Sequence, residues 1–203
     1  MRIFVVALLC AGLIGAAPLA GHAAQTGGGD ATAVPGAGEA APEDGENTAT
    51  DRIGRSPDRL PEPVRKTWQS LVDAARSGDV EALRPLIAAQ PEPPTFAFGG
   101  IEDPIDHLKS LSGDPNGREM LAILLEILEI GYVRVEAGTD NDMFLWPYFA
   151  DVPLERLTAE QTVELFTILT AGDYQDMLSY GAYIFFRVGI SPDGRWHFFV
   201  AGD

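Results

Sequence analysis

Residues 185–203 have the sequence FFRVGISPDGRWHFFVAGD, and this stretch decides how the carboxyl-terminal part of the chain folds. Two runs rich in large apolar side chains flank the turn residues SPDGR (191–195), a pattern typical of a β-hairpin. The proline and aspartate suit a type I turn, and Gly194 suits the left-handed position that follows it. The turn therefore predicts that Ile190 lies opposite Trp196. Beyond this pair the residues are expected to pair one to one, beginning with Gly189 opposite His197.

With that register, the hairpin has one apolar face and one mixed face, because side chains alternate along each strand. The apolar face is expected to meet the core helices, and it comprises Ile184, Phe186, Val188, Ile190, Trp196, Phe198 and Val200. The mixed face comprises Tyr183, Phe185, Arg187, His197, Phe199 and Ala201. Both sets depend on the turn, since a slip of one residue moves every side chain to the other face.

The mixed face supplies the candidate site residues. The candidates for ligand binding are Tyr183, Arg187, His197 and Phe199. Arg187 can hold a carboxylate or a phosphate, and His197 is the candidate catalytic acid or base. Aromatic walls can exclude water from such a pocket. The alternative is that helices cover this face and that Arg187 pairs with one of the many acids of the chain.

The residues before the hairpin predict several helices. Apolar side chains recur at helical spacing in residues 61–78, and Asp103 followed by proline predicts the start of another helix. The segment REMLAILLEILEI (118–130) is apolar on most sides, which predicts a helix buried at the centre of the fold. The motif TAEQ at Thr158 predicts a capping box at the start of a later helix.

Two further segments predict strands. YVRVE (132–136) alternates as a half-buried strand does, and MFLWPYFA (143–150) is an apolar run. Pro147 in the second run indicates an edge strand or a bulge. The expected fold class is therefore α+β, with several N-terminal and central helices packed on a small antiparallel sheet that ends in a C-terminal β-hairpin.

The N-terminal residues predict export. Residues 1–23 have the pattern of a Sec-type signal peptide, with cleavage expected near Ala23 or Ala24. An uncleaved anchor is the alternative, but the apolar run is short for a span of about 20 residues. Residues 24–60 are rich in Gly, Ala, Pro and acids, which predicts a disordered acidic linker. Residues 61–203 are expected to form a single globular domain, periplasmic or secreted.

Charge and cysteine usage exclude several classes of function. The chain has 30 acidic and 14 basic residues and a net charge of −16. Such a charge repels phosphate backbones and anionic lipid surfaces, so neither a nucleic-acid partner nor stable membrane insertion after cleavage is expected. The single cysteine, Cys10, lies within the expected signal peptide, so the exported domain is expected to have no disulfide.

No motif in the chain points to a cofactor or a metal. The sequence has no dinucleotide fingerprint, phosphate loop or G-x-S-x-G elbow. Asp106-His107 is expected on a helix surface, where adjacent residues point about 100° apart. Asp140-Asn141-Asp142 lacks the ligand spacing of an EF-hand and is expected to be a polar turn. We therefore expect no cofactor and no metal site.

Two resemblances add to these expectations. The carboxyl-terminal half resembles an uncharacterised family of exported proteins from Gram-negative bacteria, on the phrases FLWPYFADVPLERLT, AGDYQDM and FRVGISPDGRWHFFVAGD. This resemblance implies a location in the cell envelope and a folded domain, but it implies no catalytic residues. The phrase AARSGDVEALRPLI is similar to the first helices of nuclear-transport-factor-2-like domains. That second resemblance implies a cone-shaped α+β pocket used for ligand binding more often than for one reaction.

Three functional hypotheses follow. The first is an exported domain without catalysis that binds a small molecule or an envelope protein. The second is a pocket enzyme, of hydrolase or isomerase type, in which His197 acts as acid or base and Arg187 anchors an anion. The third is a structural protein that assembles with a basic partner through its acidic surface.

Overall fold

A five-stranded antiparallel sheet carries the fold, and its strands follow the same order in space as along the chain. The computed structural model describes residues 52–202. The strands are β1 (Ile53–Gly54), β2 (Tyr132–Val135), β3 (Met143–Trp146), β4 (Arg187–Ile190) and β5 (Trp196–Val200). The α-helices within the described residues are α1 (Glu62–Ser77), α2 (Arg84–Ala88), α3 (Pro104–Leu111), α4 (Arg118–Ile130), α5 (Ala159–Leu165) and α6 (Ala171–Tyr180). The predicted α+β class is confirmed.

Helices α1 and α4 form where apolar side chains recur at helical spacing. In α1, Val64, Leu71 and Val72 are buried, and the helix ends at Gly78 in the left-handed conformation. Six residues of α4 are buried, which confirms the predicted central helix. Helix α4 contacts α1 as well as strands β3 and β4. Trp68 of α1 also donates a hydrogen bond from Nε1 to a backbone carbonyl of α4, over 3.0 Å.

The predicted capping motifs are present at the helix starts. Asp103 accepts hydrogen bonds from two backbone N–H groups of α3, at 2.8 and 3.0 Å. Thr158 and Gln161 form a reciprocal capping box at the start of α5. These caps satisfy backbone donors that have no partner within the helix. They explain why both helices begin where the sequence predicted.

Strand β3 is the central strand of the sheet, not an edge strand or a bulged one. It pairs with β2 on one side and with β4 on the other. Pro147 directly follows its last residue, so it removes no hydrogen bond from the ladder. The prediction of an edge or a bulge from Pro147 was therefore wrong, because this proline ends the strand and does not interrupt it.

The fold begins before residue 61. Ile53 and Gly54 of β1 pair with β2, and Leu60 is buried in the core. Two ion pairs hold the same segment, from Arg52 to Asp151 at 3.3 Å and from Arg55 to Glu164. The predicted boundary between linker and domain was therefore too late. The expected signal peptide (1–23) and the rest of the expected linker lie outside the described residues.

The hairpin turn forms as predicted, but the register of the two strands beyond the turn differs from the predicted one. Gly194 has a φ of 88°, and Ile190 pairs with Trp196. A bulge then shifts the pairing by one residue, so that Gly189 lies opposite Phe198. His197 is the extra residue on β5. The predicted pairing of Gly189 with His197 was wrong, because simple alternation takes no account of an inserted residue.

The bulge changes which side chains face the core. Paired residues share a face of the sheet, and one face packs into the core with Tyr132, Phe144, Trp146, Val188, Ile190, Trp196 and Phe199. We call the opposite face of β3, β4 and β5 the outer face, and it carries Leu145, Arg187, Gly189, Phe198 and Val200. None of the described helices has the length and apolar character needed to cross a membrane.

Candidate functional site

A cavity of about 370 Å³ lies on the outer face of the sheet. Its lining combines side chains of three strands with residues from the segment before α3 and from the turn after β3. These residues are Thr95, Phe98, Leu145, Ala150, Arg187, Phe198 and Val200. The walls are largely apolar and include one charged group, which is the usual composition of a pocket for a small organic molecule. We call this space the outer cavity.

The middle of the outer face is shaped by a glycine. Leu145, Gly189 and Phe198 lie side by side on three neighbouring strands. The Phe198 ring lies directly over Gly189, since a Cβ at that glycine would be only 2.3 Å from the ring carbon Cζ. Gly189 therefore allows the ring to lie close to the sheet. A side chain at this position would push the ring outward into the cavity.

A loop segment forms another wall of the outer cavity. Thr95 makes a bridge to the free edge of β5: its N–H donates to His197 O at 2.8 Å, and its carbonyl accepts from Phe199 N at 2.9 Å. This bridge holds the neighbouring Phe98 beside the cavity. The Phe98 side chain is 68% exposed, which is unusual for a large aromatic group. Bound apolar molecules would cover part of this ring.

Arg187 is the one charged side chain among the described residues that line the outer cavity. It lies at the start of β4, on the outer face, as the sequence predicted. Its guanidinium donates a hydrogen bond to the carbonyl oxygen of Gly202, and it makes further contacts as well. These contacts hold the guanidinium in place beside apolar walls, where charge interactions are less screened than in water.

Two of the predicted ligand-binding residues are buried away from the outer cavity, and one of them, Tyr183, borders a separate cavity beside α6. Phe199 is 1% exposed and packs against Phe186, with ring centroids 5.1 Å apart. The bulge at His197 turns Phe199 inward, so its predicted place on the mixed face was wrong. Tyr183 is buried and its hydroxyl donates to the Phe186 carbonyl at 3.1 Å. Burial raises the pKa of Tyr183 well above its ordinary value, so this phenol stays protonated.

His197 lies near the turn of the hairpin and does not line the outer cavity. Its Nε2 is 2.8 Å from Ser191 Oγ. Partial burial, and then the nearby charge of Arg195, lower the pKa of His197 below its ordinary value of 6.5. Arg187 lies at the other end of the same hairpin strand pair. The structure therefore does not bring His197 and Arg187 together in this cavity.

Sequence reasoning missed Phe98, Leu145 and Phe198 as lining residues. Phe198 was expected on the apolar inner face, and the bulge places it outside. One signal for it was present, because a glycine inside a strand often marks a bulge or a close approach of another group. Phe98 lies in a loop whose bridge to β5 joins residues about a hundred positions apart, and no local pattern indicates such a contact.

Neither acidic motif outside the hairpin lines the outer cavity. Asp142 is nearly buried and accepts two hydrogen bonds from Arg134, at 2.8 and 2.6 Å, and one from Gly138 N at 2.8 Å. This arrangement fits the polar turn that the sequence predicted, and it lowers the pKa of Asp142 to about 2. Asp106 is exposed on α3. Residues 52–202 contain no group of three or more His, Cys, Asp or Glu placed to hold a metal ion.

A second cavity, of about 600 Å³, lies between the turn after β3 and helix α6. Its lining includes Phe149, Met177 and Leu178, together with the carboxylates of Asp151 and Glu155. Asp151 is already paired with Arg52. This cavity is built mainly from a turn and a short helix, whereas the outer cavity rests on three paired strands. Sites on regular elements hold their side chains more precisely, so the outer cavity is the better candidate.

Comparison with known proteins assigns no relatives to this fold. No protein-family model matches the chain, no curated protein matches it significantly, and no solved structure does so either.

Proposed function

We propose that this chain is an exported, non-catalytic binding domain that takes a small, largely apolar molecule in the outer cavity. The observation that carries the proposal is the cavity itself. It lies on three strands, and it has largely apolar walls, one guanidinium in its lining and an exposed aromatic ring at Phe98. Cavities of this size with few polar groups are the usual places where proteins bind small organic molecules.

Binding without chemistry fits the placement of the titratable groups. A general acid or base has to reach the reacting group within hydrogen-bond distance or through one water molecule. His197, the candidate for that role, contacts Ser191 near the hairpin turn and is not among the lining residues. Arg187 can orient a bound molecule, but a guanidinium stays charged and does not exchange protons at neutral pH. These positions favour the binding hypothesis over the pocket enzyme.

Binding can be tested with N-phenylnaphthylamine, a neutral apolar dye that fluoresces when it leaves water. We expect saturable binding of one dye per chain. Replacing Phe98 by alanine should weaken it about fivefold, since losing about 50 Å² of apolar contact costs roughly 1 kcal/mol. Phe166→Ala is the matched control, because Phe166 is also an exposed phenylalanine but does not line the outer cavity. Equal dye affinity in the two variants would contradict this location.

Export can be tested separately in a Gram-negative host that expresses the full chain. The N-terminal pattern predicts that the protein reaches the periplasm and is shortened near Ala23 or Ala24. Cell fractionation with mass measurement of the mature chain checks both points. Recovery of the uncut chain from the cytoplasm would contradict the proposed location.

A further inference from the structure

We infer that the molecule bound in the outer cavity is a monocarboxylate: an apolar body that carries one acidic group, with Arg187 receiving that group. This inference rests on the proposed function and specifies the class of ligand for the same site. It starts from the composition of the lining, in which one guanidinium lies among apolar side chains. A ligand with matching chemistry has one anionic end and an apolar remainder.

The guanidinium and the carboxylate match in shape as well as in charge. Arginine presents a planar fork of N–H donors that fits the two oxygens of a carboxylate. The neighbouring walls, such as Leu145 and Val200, limit the water around this contact and so strengthen it. Hydrogen bonds between charged groups are also shorter and stronger than neutral ones.

Arg187 already has partners, and the inference does not require any of its donors to be idle. It donates to the Gly202 carbonyl and makes further contacts. A guanidinium has donors on three nitrogen atoms, so a ligand carboxylate can join existing partners or replace one of them. The contact with Gly202 already holds the Arg187 side chain at the cavity, so binding a ligand costs less side-chain entropy.

A carboxylate fits this site better than a phosphate group. Phosphate sites gather several cations or the N–H groups of a helix start or a glycine-rich loop. The described lining of the outer cavity supplies one cation, and none of its residues belongs to the first turn of an α-helix. The net charge of −16 also opposes the approach of dianions more strongly than that of monoanions.

The volume of the cavity sets the size of the ligand. A water molecule occupies about 30 Å³ in the liquid, and a methylene group needs a similar space, so a flexible alkyl chain of roughly a dozen non-hydrogen atoms fills 370 Å³, whereas the flat rings of the dye need less space per atom. Decanoate has about this size and carries one carboxylate. Decanol and decylamine have the same chain with a neutral and a cationic end, so the three compounds isolate the contribution of the charge.

The experiment is displacement of N-phenylnaphthylamine from the full chain by each of the three compounds. Decanoate should bind at least tenfold more tightly than decanol, and decylamine should bind no better than decanol. Arg187→Gln should reduce the affinity for decanoate about tenfold and leave that for decanol unchanged. Arg195→Gln is the matched control, since Arg195 pairs with Glu92 and does not line the outer cavity.

The outcomes separate this inference from the proposed function. If the dye binds but decanoate is no better than decanol, the carboxylate inference is wrong and the binding function stands. Tighter binding of decylamine would also overturn it. If the dye does not bind, the proposed function fails, and the inference fails with it. If Arg187→Gln does not fold, Arg187→Lys can replace it, because lysine keeps the charge but lacks the planar fork of donors. In that case the comparison of decanoate with decanol in the unmodified protein decides whether the carboxylate inference holds.

Discussion

Replacing Gly189 by alanine should close part of the outer cavity. Gly189 lies at the middle of the outer face, beneath the ring of Phe198. The backbone at this glycine has an ordinary strand conformation, so alanine causes no strain of its own there. The added methyl group meets the ring instead. The substitution therefore tests whether Phe198 shapes the cavity, without removing any lining side chain.

The structure gives the size of the effect. The new methyl carbon would lie 2.3 Å from Phe198 Cζ, whereas non-bonded carbons prefer about 3.5–4.0 Å, so the ring has to move by roughly 1.2 Å or more. Overpacking of this kind costs about 1–3 kcal/mol, and alanine recovers about 0.5–1 kcal/mol relative to glycine in a strand. The free energy of unfolding should fall by about 0.5–2 kcal/mol. Dye affinity should fall about tenfold, which is the usual effect of one methylene group too many in an apolar pocket.

Urea denaturation and dye titration measure the two effects on the same samples. Gly172→Ala is the matched control, because a Cβ at Gly172 meets only a side-chain oxygen at 3.5 Å and that glycine lies in α6. This variant should bind the dye as the unmodified protein does. If Gly189→Ala also binds the dye with unchanged affinity, the Phe198 ring does not border the binding site and our account of the cavity is wrong.

Three further substitutions test the hairpin and its surroundings. Gly194→Ala should lower the free energy of unfolding, measured by urea denaturation, by about 2–4 kcal/mol. Gly194 has a φ of 88°, and a Cβ there would lie 2.7 Å from a backbone oxygen in the first turn of α1. An unchanged midpoint of the urea denaturation curve would contradict this packing. The pKa of Asp142 is held near 2, below its ordinary value of 3.8, by its arginine partner, so its contribution to stability is present above pH 3.8 and is lost as the pH falls toward 2. Asp142→Asn should remove this loss in acid denaturation curves, whereas Asp140→Asn should retain it. The pKa of His197 lies below 6.5, so the unfolded chain takes up the proton more readily and stability falls as the pH drops through 6.5. His197→Gln should therefore flatten that slope in urea denaturation curves measured across this pH range.

Local patterns were sufficient to predict most of the elements. The spacing of apolar residues in α1 and α4, the cap at Asp103 and the turn at Gly194 each depend on neighbours within a few positions. Such signals act at the level of single turns and hydrogen bonds, and the structure confirms them. They also sufficed for the α+β class, since helices and alternating strands follow one another in recognisable blocks.

The outer cavity depends on contacts that no local pattern contains. Alternation predicted Phe198 inside and Phe199 outside, but the bulge at His197 reverses both. The bridge from Thr95 to β5 joins distant parts of the chain, so the wall that it holds was not predictable either. Arg187 was the exception, because it lies before the turn on the strand without the inserted residue and kept its predicted face.

Binding of an apolar molecule in the outer cavity is tested most directly by a methyl-resolved NMR titration of the full chain with N-phenylnaphthylamine. Leu145 and Val200 line the outer cavity, whereas Leu178 lines the cavity beside α6. We expect saturable chemical-shift changes at the methyl groups of Leu145 and Val200, with those of Leu178 unchanged. Shifts confined to Leu178, or no saturable shift at all, would contradict binding in the outer cavity.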